Sequence, residues 1–291
     1  MPDVATRELD AAPNTLGFMV KAALPALPGV SLLPGVKKSG GELPDLTLVR
    51  KGVTVDRAHV AAYAAVCGFP AKDTLPLPYP HMLAFPLHMA LMTDGSFPFA
   101  AMGTVHLENV ITQHRALTAD DLLDVKVWAE NLRKHAKGTV YDVMTEVSVD
   151  GELVWEERSS MLVRGKGDKS ADVGLDIEQV PAGPTTWRLA GDLGRRYGAV
   201  SGDRNPIHLY GVTAKAFGFP RQIAHGMWSM ARCVASLENR LDEAVTVEVA
   251  FKTPILLPGT VAFGSQIDDD GALFSLSNPK NGAPHLVGRA R

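Results

Sequence analysis

The same order of predicted elements occurs twice along this 291-residue chain, and that repeat limits the possible folds more than any single residue does. Each half carries a short strand, a helix with a tyrosine, a turn region, a second helix and then several strands. Tyr63 and Tyr197 occupy matching places in the first helices, while His81 and His225 mark the starts of the second helices. We therefore expect two similar folding units.

The strands predicted after each second helix show the alternation of apolar and polar residues that is typical of half-buried strands. They fall at 104–112, 124–132, 141–149 and 153–163 in the first half, and at 245–253, 261–268, 272–277 and 285–289 in the second. A polar, glycine-rich stretch separates the halves and indicates a linker. The predicted organisation is an N-terminal unit over 1–163, a linker over 164–184 and a C-terminal unit over 185–291.

An antiparallel sheet wrapped round one central helix, present twice, describes an α+β double hotdog, in which the two units pack as a pseudo-dimer. Composition is compatible with two such cores, since 46% of the residues are hydrophobic. The net charge of −3 and the lack of Lys/Arg-rich blocks exclude a basic face for nucleic acid.

Neither a signal peptide nor a membrane span is predicted. The first apolar stretch, 16–33, is broken by Lys21 and Pro25, among others, whereas a spanning helix needs about 20 nearly uninterrupted apolar residues. The only cysteines, Cys67 and Cys233, lie far apart and show no metal-ligand or redox spacing. We interpret them as buried thiols of a cytoplasmic protein.

The two halves differ in length just before their second helix. There are 12 residues between Gly68 and His81 but 22 between Gly202 and His225, so the second half holds ten more. The residues of this longer connection include an acid, an amide and an imidazole grouped around a proline. We therefore look for the chemistry of the protein there.

On an uninterrupted helix, Asp203 and His208 would lie about 140° apart and could not share a substrate. Gly202 can end the preceding helix, and Pro206 disfavours the α conformation at Asn205. The chain is therefore expected to turn here and to bring both side chains into one pocket. Taken alone, the same residues are also typical of an ordinary capping and turn cluster.

A second candidate element follows at His225-Gly226. A glycine at a helix start lets a ligand approach the backbone, and its free N–H lies at the positive end of the helix dipole. Together these parts suit hydration of an enoyl thioester: Asp203 and His208 would hold and deprotonate water, and Gly226 N–H would stabilise the enolate-like oxygen. Ser201 and Asn205 are assigned to orient their neighbours.

The run SGDRNPIH over 201–208, followed by AHGM over 224–227, resembles the signature of the R-specific enoyl-CoA hydratases, the MaoC-like dehydratases of the hotdog superfamily. The resemblance implies that Asp203 and His208 form the catalytic pair, that Gly226 is the oxyanion donor and that the product has R configuration. The first half lacks the motif, so one active site per chain is expected, with the N-terminal unit adapted for substrate binding.

That resemblance also implies a lyase without a cofactor, whose partner is an acyl-CoA or acyl-carrier-protein thioester. The fused halves could remain monomeric or assemble further as a homodimer. Two other functions stay open: a hotdog acyl-CoA thioesterase and a non-catalytic acyl-thioester-binding subunit.

Other conspicuous residues receive structural interpretations. His81 and His88 share a helix face, and His106 and His114 lie in a strand region, but no carboxylate or cysteine stands beside them in the sequence at metal-ligand spacing. No metal site is predicted, and His225 is expected to pack or hydrogen-bond at the helix start. Pro86 is expected to interrupt the first central helix and so leave room for a medium or long acyl chain.

Overall fold

The computed structural model describes residues 5–13, 17 and 40–291. The apolar stretch 16–33, predicted to be neither a signal peptide nor a membrane span, lies outside the described residues except for Gly17. Among the helices of the described residues, none is long and apolar enough to cross a membrane.

Eleven strands of the described chain form one sheet in the order β1-β2-β4-β5-β6-β3-β8-β11-β10-β9-β7. The strands are β1 Ala5–Glu8, β2 Leu46–Val53, β3 Val105–Gln113, β4 Leu123–His135, β5 Gly138–Val149, β6 Glu152–Arg164, β7 Thr185–Leu189, β8 Val245–Phe251, β9 Gly259–Asp268, β10 Gly271–Ser277 and β11 Pro284–Ala290. All neighbours are antiparallel except the β1–β2 pair.

The sheets of the two halves meet edge to edge along β3 and β8, from Glu108 opposite Ala250 to Gln113 opposite Val245. This seam leaves neither half with an exposed strand edge at the junction, which removes a site for unwanted pairing. Each half-sheet curves round its own central helix. The predicted double hotdog is confirmed, with its two sheets continuous through the seam.

The helices are α1 Arg57–Cys67, α2 Pro80–Met92, α3 Leu193–Ser201, α4 Pro206–Leu209, α5 Gly211–Ala216 and α6 Gly226–Leu237, followed by a 3-10 turn over Glu238–Arg240. The central helices are α2, which packs against β4, and α6, which packs against β10. The tyrosines of the repeat, Tyr63 on α1 and Tyr197 on α3, are buried with ring centroids 6.3 Å apart. They join the two halves in one core.

The prediction that Pro86 interrupts α2 was wrong. The helix continues through Pro86 to Met92. A proline inside a helix removes its own N–H bond and crowds the preceding turn. Here Phe85 and Leu87 on either side of it are buried in the core, and this packing stabilises the helix. Any room for an acyl chain must therefore come from the surroundings of an intact helix.

The segment predicted as a linker lies against the sheet. Its described residues 165–184 contain no helix or strand. Leu175 N–H donates to the Glu108 carboxylate at 2.6 Å, and Ile177 packs on Ala250 and Val287 in a cluster separate from the main core. Apolar burial and backbone hydrogen bonds thus hold the connection on the sheet.

Candidate active site

The motif folds into a sharp turn between α3 and α4. Gly202 ends α3 in the left-handed conformation at φ 75°, which glycine adopts without steric cost. Pro206 begins α4, and Asn205 before it is extended, with ψ 125°. Ser201 Oγ accepts from Asp203 N–H at 3.1 Å, and Asp203 Oδ1 accepts from Asn205 N–H at 3.0 Å.

This turn brings Asp203 and His208 together. One side-chain nitrogen or carboxylate oxygen from each of Asp203, His208 and His225 lies within 4.8 Å of the corresponding atoms of the other two residues. Asn205 lines the same cavity, and its side chain caps α4 by accepting from Ile207 N–H at 3.3 Å. The structure therefore places Asn205 and Ser201 as supports of the turn that carries Asp203.

Hydrogen bonds fix which nitrogen of each histidine carries the proton. His208 Nδ1 faces the Ile223 carbonyl at 2.8 Å, and His225 Nε2 faces the Asp203 carbonyl at 3.0 Å. Since a carbonyl only accepts, both of these nitrogens donate. His208 Nε2 is thereby left with its lone pair.

Burial keeps both imidazoles neutral. It lowers the pKa of His208 in spite of the nearby Asp203 carboxylate and the Ile223 carbonyl, which act in the opposite direction. Burial and the neighbouring His208 lower the pKa of His225 to about 3. The two rings stack with centroids 3.7 Å apart, an arrangement that positive charge on both rings would oppose. The contact of 3.8 Å between His225 Nε2 and Asp203 Oδ2 is therefore not an ion pair at neutral pH.

Gly226 is the first residue of α6, and its N–H donates to no described residue. A side chain at this position would not fit freely, since a Cβ would lie 3.2 Å from two ring atoms of Phe251. Ser229 closes the first turn by donating to the carbonyls of His225 and Gly226. The N–H of Gly226 is thus open to a ligand at the positive end of the helix.

These groups share one cavity of about 310 Å³. Asp203, His208 and Gly226 line it together with residues of the first half, including His81, Phe85 and Met89 on α2. A cavity that combines a few convergent polar groups with long apolar walls is typical of a small-molecule site. The first half thus contributes walls to the site, although it lacks the motif.

A carboxylate lies beside the histidines of the first half in space, although none stands at metal-ligand spacing in the sequence. Glu157 on β6 faces His81 Nδ1 with both oxygens at 2.8 Å, and donor atoms of His81, His88 and Glu157 lie within 4.8 Å of one another. Sequence spacing could not show this, because β6 comes far later in the chain. Imidazole and carboxylate suit a transition metal, and the same donor types occur at Asp203 and its histidines.

Comparison with known proteins gives consistent matches. Residues 172–281 match the family model described as "MaoC like domain". The chain is 39% identical to 3-hydroxyacyl-thioester dehydratase X of Mycobacterium tuberculosis, over 96% of this chain and 98% of that protein. It is also 31% identical to the enoyl-CoA hydratase ChsH3 of the same organism, over 37% of this chain and 39% of that protein.

The crystal structure of HtdX from Mycobacterium tuberculosis superposes with a TM-score of 0.75 at 40% identity. That superposition covers 84% of this chain and 99% of the other.

Proposed function

Since the chain belongs to the MaoC-like dehydratase family, we propose that it adds water to trans-2-enoyl thioesters to give R-3-hydroxyacyl thioesters, and catalyses the reverse dehydration. The protein is a lyase of the hydratase/dehydratase class that acts on acyl thioesters. The observation that carries the proposal is the arrangement of Asp203, His208 and the free N–H of Gly226 on one cavity.

The catalytic roles follow from the hydrogen-bond inventory. Asp203 Oδ1 is engaged by a backbone N–H, which leaves Oδ2 as an acceptor, and His208 Nε2 is an acceptor as well. A water molecule that donates one hydrogen to each presents its oxygen lone pair to C3 of the enoyl group. One of the two groups takes the proton as the C–O bond forms, and the resulting acid protonates C2.

Negative charge develops on the thioester oxygen as water attacks. The N–H of Gly226 would donate to that oxygen, with the dipole of α6 behind it. This route needs no nucleophilic serine or cysteine, because no covalent intermediate forms. Dehydration uses the same groups in reverse, starting from the 3-hydroxyl group.

The test is hydration of enoyl-CoAs of graded length, followed by the loss of the conjugated-thioester absorbance, with chiral analysis of the product. Asp203→Asn and His208→Ala should each lower kcat by about 10²-fold or more. Asp269→Asn, in an exposed hairpin, is the matched control and should retain full activity. Retention of activity by both site variants would refute the proposal.

Two alternatives have distinct readouts in the same assay. A thioesterase would release free thiol from acyl-CoA, and a non-catalytic subunit would bind enoyl-CoA without changing its absorbance. The pair formed by Asp203 and His208, which can hold a water molecule, favours hydration over both the thioesterase and the non-catalytic subunit. Parallel reactions with acyl-CoA and acyl-carrier-protein substrates identify the carrier.

We further propose that residues 1–163 serve mainly to bind substrate, that 164–184 connect the halves and that 185–291 hold the catalytic groups. A cytoplasmic location is supported by Cys67 and Cys233, which are free and buried. Because the two halves already pair within one chain, a homodimer would use another surface. Sedimentation of the purified protein tests for it.

A further inference from the structure

The active-site cavity extends into the first half, and its walls there are mostly apolar. They are formed by methionine and other flexible or bulky side chains, namely Met82, Phe85, Met89, Met92, Val143 and Met161. Such walls suit a hydrocarbon chain. Three imidazoles, those of His81, His88 and His106, interrupt this lining, although the reaction proposed above uses none of them.

His81 is held by a buried carboxylate. Burial alone would raise the pKa of Glu157, but His81 and Asn109 lower it to about 2, so Glu157 is ionised and His81 Nδ1 donates to it. Asn109 Nδ2 donates to the same carboxylate at 2.6 Å, which fixes its position. His81 Nε2 makes no hydrogen bond with any described residue and lies on the cavity side.

His106 is directed by an irregularity in its strand. The pairing of β3 with β6 shifts between His106 and Glu108, a bulge of the kind that re-aims side chains beside functional sites. Burial lowers the pKa of His106 to about 4, while a backbone hydrogen bond with Glu108 acts in the opposite direction. His106 Nε2 is buried and has no hydrogen-bond partner in the described structure.

An unpartnered nitrogen in an apolar wall costs free energy that a phenylalanine or leucine would avoid. A site that binds only a plain hydrocarbon chain would gain nothing from this nitrogen. We propose, as an extension of the proposed function, that the acyl chain of the substrate carries a hydroxyl group that forms a hydrogen bond with His106 Nε2, with the His81–Glu157 pair as the second polar partner. The first half, which lacks the catalytic motif, would thus determine substrate specificity.

The position of Phe251 indicates where this hydroxyl group lies. Its ring is the one that a Cβ on Gly226 would contact at 3.2 Å, and the same ring lies 5.0 Å from the His106 ring, measured between centroids. One phenyl ring therefore separates the oxyanion donor from His106. The hydroxyl group is on the distal part of the chain and is distinct from the 3-hydroxyl group that the reaction forms.

The test compares trans-2-enoyl-CoAs of equal length, with or without one hydroxyl group that is moved carbon by carbon along the distal chain. For the wild type, kcat/KM should favour the hydroxylated substrate by about two- to tenfold at one position, the value of one net hydrogen bond. His106→Phe should reduce this ratio to about one. His114→Phe should keep it, since His114 follows the same strand but is exposed and pairs with Glu156.

The position dependence in the wild type tests the inference even if His106→Phe does not fold. Equal kcat/KM values at every position would overturn it, and so would a preference that survives in a folded His106→Phe variant. Hydration of plain substrates without any preference overturns the hydroxyl inference alone. Hydration of neither substrate instead refutes the proposed function.

Discussion

Acid should destabilise this protein through His225, whose pKa burial lowers from an ordinary value of 6.5 to about 3. A histidine with a lowered pKa in the folded state contributes stability that is fully present above pH 6.5 and is lost as the pH falls towards 3. At 1.36 kcal/mol per pH unit, the 1.5 units between 6.5 and 5 correspond to about 2 kcal/mol of unfolding free energy lost by pH 5.

The assay is urea unfolding of the wild type and His225→Gln at pH 8 and pH 5. Glutamine keeps an N–H donor for the Asp203 carbonyl but has no proton to bind in this range. Between the two pH values, the variant should lose about 2 kcal/mol less than the wild type does. His59→Gln is the control, because His59 is only partly buried. Equal losses in wild type and His225→Gln would show that His225 protonation does not limit acid stability.

Three further predictions concern the site. Gly226→Ala should lower kcat for hydration by roughly 10- to 100-fold, because the new methyl group must displace the Phe251 ring and shift the oxyanion donor. The control is Gly95→Ala, which lies in open space and should have no effect on kcat. Equal rates for the two variants would contradict the role of Gly226 as oxyanion donor. Asn205→Ala should reduce the free energy of unfolding by about 1 kcal/mol through loss of the α4 cap, whereas Asn205→Asp keeps it; thermal unfolding distinguishes them. The acid limb of kcat/KM should lie below pH 6.5, because burial lowers the pKa of His208; a limb at or above 6.5 would count against His208 as the base.

Local signals in the sequence were sufficient to predict the main strands and helices and the turn at the active site. Periodicity gave the eight strands that follow the two second helices to within a few residues of their positions, since alternation reports directly on the two faces of a sheet. Gly202 and Pro206 restrict backbone angles without help from distant residues, so the turn that carries Asp203 could be predicted. The family resemblance rested on this same short segment.

Groups that meet across the chain could not be predicted in this way. The pairing of Glu157 with His81, the stacking of His225 on His208 and the continuity of Pro86 within its helix all depend on packing between distant segments. Burial then decides the charge states, because solvent exclusion exists only in the folded chain.

The sequence by itself determined the two-fold repeat of elements, the bend between Asp203 and His208 and the glycine at the start of the second central helix, because each depends on residues close together in the chain. Only the tertiary structure decided that the two sheets join along β3 and β8 and that one cavity runs from the catalytic groups to His81 and His106. Those features arise from contacts between segments far apart in the chain, and no local pattern of residues encodes them.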